Sequence, residues 1–223
     1  MSAVANMFEL EGISVAYDGE PVLRDIHLRI EAGEKIVFIG PSGAGKTTLL
    51  RQLFELSQEH AAFIHQDYAL VPQLSAFHNV CSGRLDRNGT ARNLLNLIRP
   101  QKRELEEVGP ILEKLGMGEK IFEPVHALSG GQQQRVAVAR AIYRGAGVLL
   151  GDEPVSSIDP HQANAVLQII RERIATVVLS LHDVGLALEL FDRIIGLRAG
   201  RIEFDVPGDQ VDREMLAGLY RPC

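Results

Sequence analysis

The chain has 223 residues, 46% of them apolar, enough for one sizeable core or a core with a subdomain grown from it, and too few for two fully independent domains. A formal charge of −6 and a pI near 5.7 speak against a general nucleic-acid binder, which needs a basic footprint to neutralise phosphates. No leader pattern opens the sequence and no apolar run is long enough to span a bilayer. The expectation is a cytoplasmic protein that reaches the membrane only peripherally, through a partner, on the cytoplasmic face of the inner or plasma membrane. Cys81 and Cys223 are too few and too differently placed for a disulfide framework or a zinc site.

In chain order, Phe8 to Tyr17 and Val22 to Ile30 alternate apolar and polar residues around the turn-forming Asp18-Gly19, which predicts two antiparallel strands. After Gly33, the run Ile36-Val37-Phe38-Ile39 predicts a buried strand that enters a glycine-rich turn directly. From about Asp67 to Arg144 helical spacing dominates. Leu105, Val108, Ile111, Leu112 and Leu115 share one helical face, as do Val136, Ala139 and Ile142 or Tyr143. Val148-Leu149-Leu150 and Thr176-Val177-Val178-Leu179 are short apolar runs separated by helical patterns, the mark of a parallel sheet covered by helices. Between them, Asp159-Pro160 supplies an N-cap acid and a proline at the first helical position. Val166, Ile169, Ile170 and Ile174 line one face of that helix. The expected fold is α/β, with a parallel core sheet, N-terminal antiparallel strands and an inserted helical subdomain. The core spans 7–66 and 145–223, and the helical subdomain 67–144, within one domain of 7–223. No internal repeat is found.

Gly40-Pro41-Ser42-Gly43-Ala44-Gly45-Lys46-Thr47 fits the P-loop pattern at every fixed position and lies between a predicted strand and a predicted helix. The glycines let backbone N–H groups turn inward on phosphate oxygens, and the positive end of the following helix faces the same anion. Lys46 suits the terminal phosphates and Thr47 suits Mg²⁺, with Thr48 completing the phosphate-binding set. Val148 to Glu153 reads as a strand that delivers two carboxylates at its C-terminal end, where α/β sheets place their ligands. Asp152 is expected to hold Mg²⁺ and Glu153 to deprotonate the attacking water. To this point the reading is a P-loop NTPase, with no guanine-selecting Asn-Lys-x-Asp to suggest GTP.

Leu128-Ser129-Gly130-Gly131-Gln132 precedes the helix through Arg140 and forms a second anion site at a helix N-terminus. One nucleotide does not easily need both. Leu-Ser-Gly-Gly-Gln is the signature of the ABC ATPases, and the chain resembles that family over nearly its whole length from Phe8 onward. The resemblance implies a head-to-tail dimer, expected as a homodimer, in which the signature of one ABC ATPase subunit closes over the γ-phosphate held by the other's P-loop. It further implies that Tyr17 stacks on adenine, that Gln66 senses Mg²⁺ and the attacking water, and that Asp159, in Ser157-Ile158-Asp159, communicates across the dimer. It makes His182 the histidine that contacts the γ-phosphate. Alone, Tyr17 reads as a strand aromatic, His182 as a core or capping residue and Asp159 as a helix N-cap. Their order and spacing lift them together. His27, His60, His65, His78, His126 and His161 form no ligand cluster.

Asn79-Val80, Gly83-Arg84-Leu85, Gln132-Gln133-Gln134-Arg135 and Asp192 to Gly200 make the resemblance closest to the ATP-binding subunits of phosphonate importers. That implies ATP and Mg²⁺ as cofactors and an integral-membrane permease as partner. A periplasmic or extracellular binding protein is served indirectly, and no nucleic acid is involved. Three departures stand out. The stretch from Thr48 to Phe63 is shorter than the family's usual arm, Gly151 replaces an apolar residue before Asp152, and Arg144-Gly145-Ala146-Gly147 lacks a common proline. Two other readings stay open on sequence: an ABC ATPase serving a non-transport complex, and a non-hydrolysing ABC module.

Overall fold

Alternation in the N-terminal segment gives β1 (Asn6–Tyr17) and β2 (Glu20–Glu31), followed by β3 (Lys35–Ile39), α1 (Lys46–Leu56) and β4 (Ala61–Ile64). Four helices come next in the chain: α2 (Ala76–Cys81), α3 (Thr90–Ile98), α4 (Lys102–Lys114) and α5 (Gly130–Arg144). The chain then runs through β5 (Val148–Asp152), α6 (Pro160–Arg173), β6 (Thr176–Ser180), α7 (Val184–Leu190), β7 (Arg193–Arg198), β8 (Arg201–Pro207) and α8 (Arg213–Leu219). These come from a computed structural model that describes residues 6–57 and 61–221; His60 and Cys223 lie outside the described residues. Among the described residues, no helix is long and apolar enough to cross a membrane.

The chain divides into two compact units. The first comprises the described residues up to Phe63, Gly147–Glu153 and those from Ala175 onward; the second comprises Ile64–Ala146 and Pro154–Ile174. In the first, β1 and β2 form a two-stranded antiparallel sheet with Leu10 opposite Leu28 and Tyr17 opposite Glu20. Asp18 and Gly19 both take positive φ (50° and 83°), the two-residue hairpin loop whose twist matches its strands. The main sheet has the order β4-β5-β6-β3-β7-β8. Strands β5, β6, β3 and β7 are mutually parallel and β8 is antiparallel at the edge. Strands β5 and β6 are buried along their whole length, which is why their sequences read as unbroken apolar runs.

One apolar cluster ties this unit together. Phe8, Leu10, Ile26 and Leu28 of the hairpin join Ile36 and Phe38 of β3 and Leu49, Leu50 and Leu53 of α1. Alternate residues of β5 (Val148, Leu150) and β7 (Ile195, Leu197) complete it. The period of two is the pleat putting one face of each strand toward the hairpin and helix. The short arm seen in sequence has a structural counterpart. The chain passes from α1 to β4 without additional strands among the described residues, and the antiparallel layer has two strands. Gly151 leaves β5 intact: the register with β6 runs from Val148 opposite Thr176 to Asp152 opposite Ser180 without a shift.

The second unit is helical, and it differs from the sequence expectation in one element. Helix α6 groups with it, because the loop leading into α6 is bonded to α5: the buried Gln134 side chain donates to Ser156 Oγ and accepts from the Ser157 amide. On α6 the buried face is Ala163, Val166, Leu167 and Ile170, with Leu167 taking the place expected of Ile169. On α4, Glu104 is buried beside Val108 and Leu112, since Arg92 pairs with its carboxylate. The Arg84 guanidinium lies 4.1 Å from the Tyr143 ring centroid and bonds Glu107 at 2.6 Å, fixing the turn after α2 to α4 and α5.

Phe38 is fully buried at the centre of the first unit. Phe38→Ala is expected to cost about 3 to 5 kcal/mol in urea unfolding; a loss below about 1 kcal/mol would show that the core is not organised around β3.

Candidate active site

The turn out of β3 needs glycine. Gly40 has φ 144°, and a Cβ there would sit 2.0 Å from the Leu197 carbonyl oxygen, so any other residue displaces β7 or the loop. Main-chain bonds hold the remainder of the turn: Ala44 N–H to Pro41 O at 3.2 Å, Gly200 N–H to Ala44 O at 3.1 Å and Arg24 N–H to Gly200 O at 2.8 Å. Helix α1 then starts at Gly45 with no side-chain cap and no acid in its first turn. Its leading N–H groups and the positive end of its dipole are left for an anion. Lys46 folds back over the turn and donates to Gly40 O at 2.7 Å and Pro41 O at 3.0 Å. Burial lowers the Lys46 pKa from the ordinary lysine value, while the nearby charges of Glu153 and Asp152 act in the opposite direction.

Strand β5 ends beside this turn. Thr47 Oγ1 donates to Asp152 Oδ2 at 2.7 Å, and Ser180 Oγ donates to Asp152 Oδ1 at 2.6 Å, so the buried carboxylate is gripped on both oxygens. Glu153 comes next with φ 53°, a left-handed conformation that costs about 1 kcal/mol or more in a residue other than glycine. That reversal turns its side chain toward His182, whose Nε2 lies 2.6 Å from Glu153 Oε1. Lys46, Thr47, Asp152, Glu153 and His182 are thereby gathered in the first unit, at the C-terminal ends of β3, β5 and β6. Tyr17 belongs to the same unit and stands half exposed at the end of β1.

Gln66, Ser129, Gly130, Gly131, Gln132 and Asp159 belong to the second unit. Gln66 is exposed, two residues beyond β4. Ser129 caps α5 with a capping box: Gln132 N–H donates to Ser129 Oγ at 3.3 Å and Ser129 N–H donates to Gln132 Oε1 at 2.9 Å. A Cβ on Gly131 would lie 2.7 Å from the Ser157 carbonyl oxygen, so the signature glycine is what lets the loop before α6 pack against the head of α5. Asp159 caps α6 through the Gln162 N–H at 3.1 Å.

A P-loop turn, a strand ending in Asp-Glu and a Ser-Gly-Gly helix cap on one chain match a known family profile, described as ABC transporter, over residues 23–156. The chain belongs to the ABC transporter family. It is 40% identical, over 95% of its length and 90% of the relative's, to the phosphonates import ATP-binding protein PhnC 1 of Pseudomonas aeruginosa. It is 35% identical, over 96% and 94%, to phosphonates import ATP-binding protein PhnC 3 of Halalkalibacterium halodurans. Among solved structures, a nucleotide-free ATP-binding cassette from an ABC transporter superposes with a TM-score of 0.76 over 96% of this chain and 95% of that one, at 18% identity. A dimeric bacterial ABC transporter cassette does so with 0.75 over 89% and 97%, at 24% identity. The fold is that of an ABC cassette, and the chain is an ABC ATPase.

One residue of this ABC site escaped sequence reading. Ser180 is the last residue of β6, and a serine that is fully buried at a strand end needs partners there. Gly40→Ala is expected to weaken binding of a fluorescent ATP analogue at least ~10-fold and to lower stability by about 2 kcal/mol. Unchanged binding in a titration paired with a thermal melt would mean that the loop accommodates a Cβ.

Proposed function

We propose that this chain is the ATP-hydrolysing subunit of an ABC importer that carries phosphonates or related phosphorus compounds. The observation that carries the ATPase half is the Asp152 carboxylate gripped by Thr47 and Ser180 beside the uncapped head of α1, with Glu153 turned against His182. The phosphonate half rests on relatives at 35% and 40% identity that are named phosphonates import ATP-binding proteins.

ATP phosphates would lie along the turn 40–47, and Thr48 would face them from the first turn of α1. Lys46 would exchange the Gly40 and Pro41 carbonyls for terminal phosphate oxygens. Buried Asp152 and the Thr47 hydroxyl are hard oxygen donors that fit Mg²⁺, which keeps the remainder of its shell for phosphates and water. When bound, Mg²⁺ offsets the charge on the phosphates. Glu153 takes the proton of the attacking water, and His182 orients that carboxylate and then reaches the γ-phosphate. Tyr17 is assigned to adenine and Gln66 to the metal and water. Ser129, Gly130, Gly131 and Gln132, with Asp159, are assigned to the nucleotide held by a second copy of the chain.

A permease partner is supported by the second unit. Helix α3 exposes Leu94, Leu97 and Ile98 at 59%, 49% and 77%, and a cavity of about 340 Å³ beside it is lined by Leu74, Leu85, Leu94 and Leu97. Apolar surface of that kind suits cytoplasmic helices of an integral-membrane protein. The chain would then work peripherally at the cytoplasmic face, and the binding protein would meet only the permease.

Glu153→Gln should bind ATP, hold a closed dimer by size-exclusion chromatography and lose at least ~100-fold in phosphate release; turnover at the native rate would remove Glu153 as the base. In cells lacking the gene, the native chain should restore uptake of a labelled phosphonate and Glu153→Gln should not. Uptake that survives deletion would end the phosphonate assignment and leave the ATPase standing.

A further inference from the structure

Strand β6 lies between β3, which feeds the phosphate-binding turn, and β5, which delivers the carboxylates. Its last residue, Ser180, pairs in register with Phe38 on one side and Asp152 on the other. In parallel strands, residues in register project on the same face, so Ser180 and Asp152 present their side chains together. Ser180 is fully buried and Asp152 is buried, and the Ser180 hydroxyl makes two bonds. It donates to Asp152 Oδ1 at 2.6 Å and accepts the Glu153 N–H at 3.0 Å.

A hydroxyl has one proton, so these roles fix each other. With that proton committed to Asp152, only the lone pairs remain for the Glu153 amide. The amide it accepts belongs to the residue with φ 53°, the reversal that turns the Glu153 side chain away from the strand. The bond to Asp152 occupies Oδ1 and leaves Oδ2 as the oxygen shared with Thr47. We propose that Ser180 is a positioning residue for the reaction: it orients Asp152 so that Oδ2 faces the metal, and it pins the strained amide that aims Glu153. This rests on the reading that Asp152 holds Mg²⁺. An outer group that orients a ligating carboxylate is worth about 10- to 100-fold in metal affinity when removed.

The test uses the full chain saturated with a non-hydrolysable ATP analogue, with Mn²⁺ in place of Mg²⁺ and free Mn²⁺ measured by electron paramagnetic resonance. Nucleotide affinity is measured separately in EDTA, and folding by circular dichroism. Ser180→Ala should raise the Mn²⁺ dissociation constant about 10-fold or more, with metal-free nucleotide affinity within about twofold of native. Ser180→Cys keeps the side chain's branching but replaces the hydroxyl with a larger, weak thiol donor, so it should lose Mn²⁺ in the same direction, and it carries the test if Ser180→Ala does not fold. Native Mn²⁺ affinity in the folded variants overturns the proposal. So does an equal loss of metal-free nucleotide affinity, which would mark Ser180 as a packing residue. Asp152→Asn separates the two levels: if it keeps native Mn²⁺ affinity, the metal reading itself fails, whereas loss there with none at Ser180 refutes Ser180 alone.

Discussion

The passage of Gly40 against the Leu197 carbonyl leaves no space for a side chain, and the P-loop can turn only because of it. Three successive main-chain bonds then run from Pro41 through Ala44 and Gly200 to Arg24, so the loop is tied both to the β7–β8 turn and to the hairpin. These bonds set where α1 begins, and with it the positions of Lys46 and Thr47. The carboxylates of β5 have meaning only relative to those two residues. A loop fixed by backbone contacts rather than by side chains can keep its shape while its side chains change partners, a freedom that the phosphate role proposed for Lys46 depends on.

Much of this was legible in the sequence because the rules involved are local. The run Ile36 to Ile39 followed by glycines marks a strand entering a glycine-rich turn, and Asp159-Pro160 marks a helix start; β3, the turn and α6 lie where those patterns put them. What the pattern could not carry was long-range polar pairing. Glu104 occupies a buried helical position because Arg92, twelve residues earlier, pairs with it. Ser180 matters because parallel register sets it beside a residue twenty-eight positions away. Neither fact has a trace in hydrophobic periodicity. The grouping of α6 with the helical unit is similar, since it depends on Gln134 reaching the Ser156-Ser157 loop.

The signature segment is tied into the second unit by its side chains and by its backbone. Ser129 and Gln132 complete a capping box at the head of α5, and Gly131 admits the backbone of Ser157. The Tyr68 hydroxyl lies 2.7 Å from Ser157 Oγ, so the segment after Gln66, the loop before α6 and the signature helix are joined within the second unit. Movement of any one is therefore felt by the other two.

The two-stranded antiparallel layer has a consequence for the protein's behaviour in a crowded solution. A sheet of two strands has two outer margins, and a long flat margin invites pairing with a neighbouring molecule. On β1, Glu9 and Glu11 are exposed, and the pairing slips between Leu10 and Ile13, where Gly12 adopts φ 65°. Charge and an irregular backbone spoil the template that an incoming strand needs. A cassette with so narrow an antiparallel layer thus keeps its margin inhospitable to self-association through the sheet.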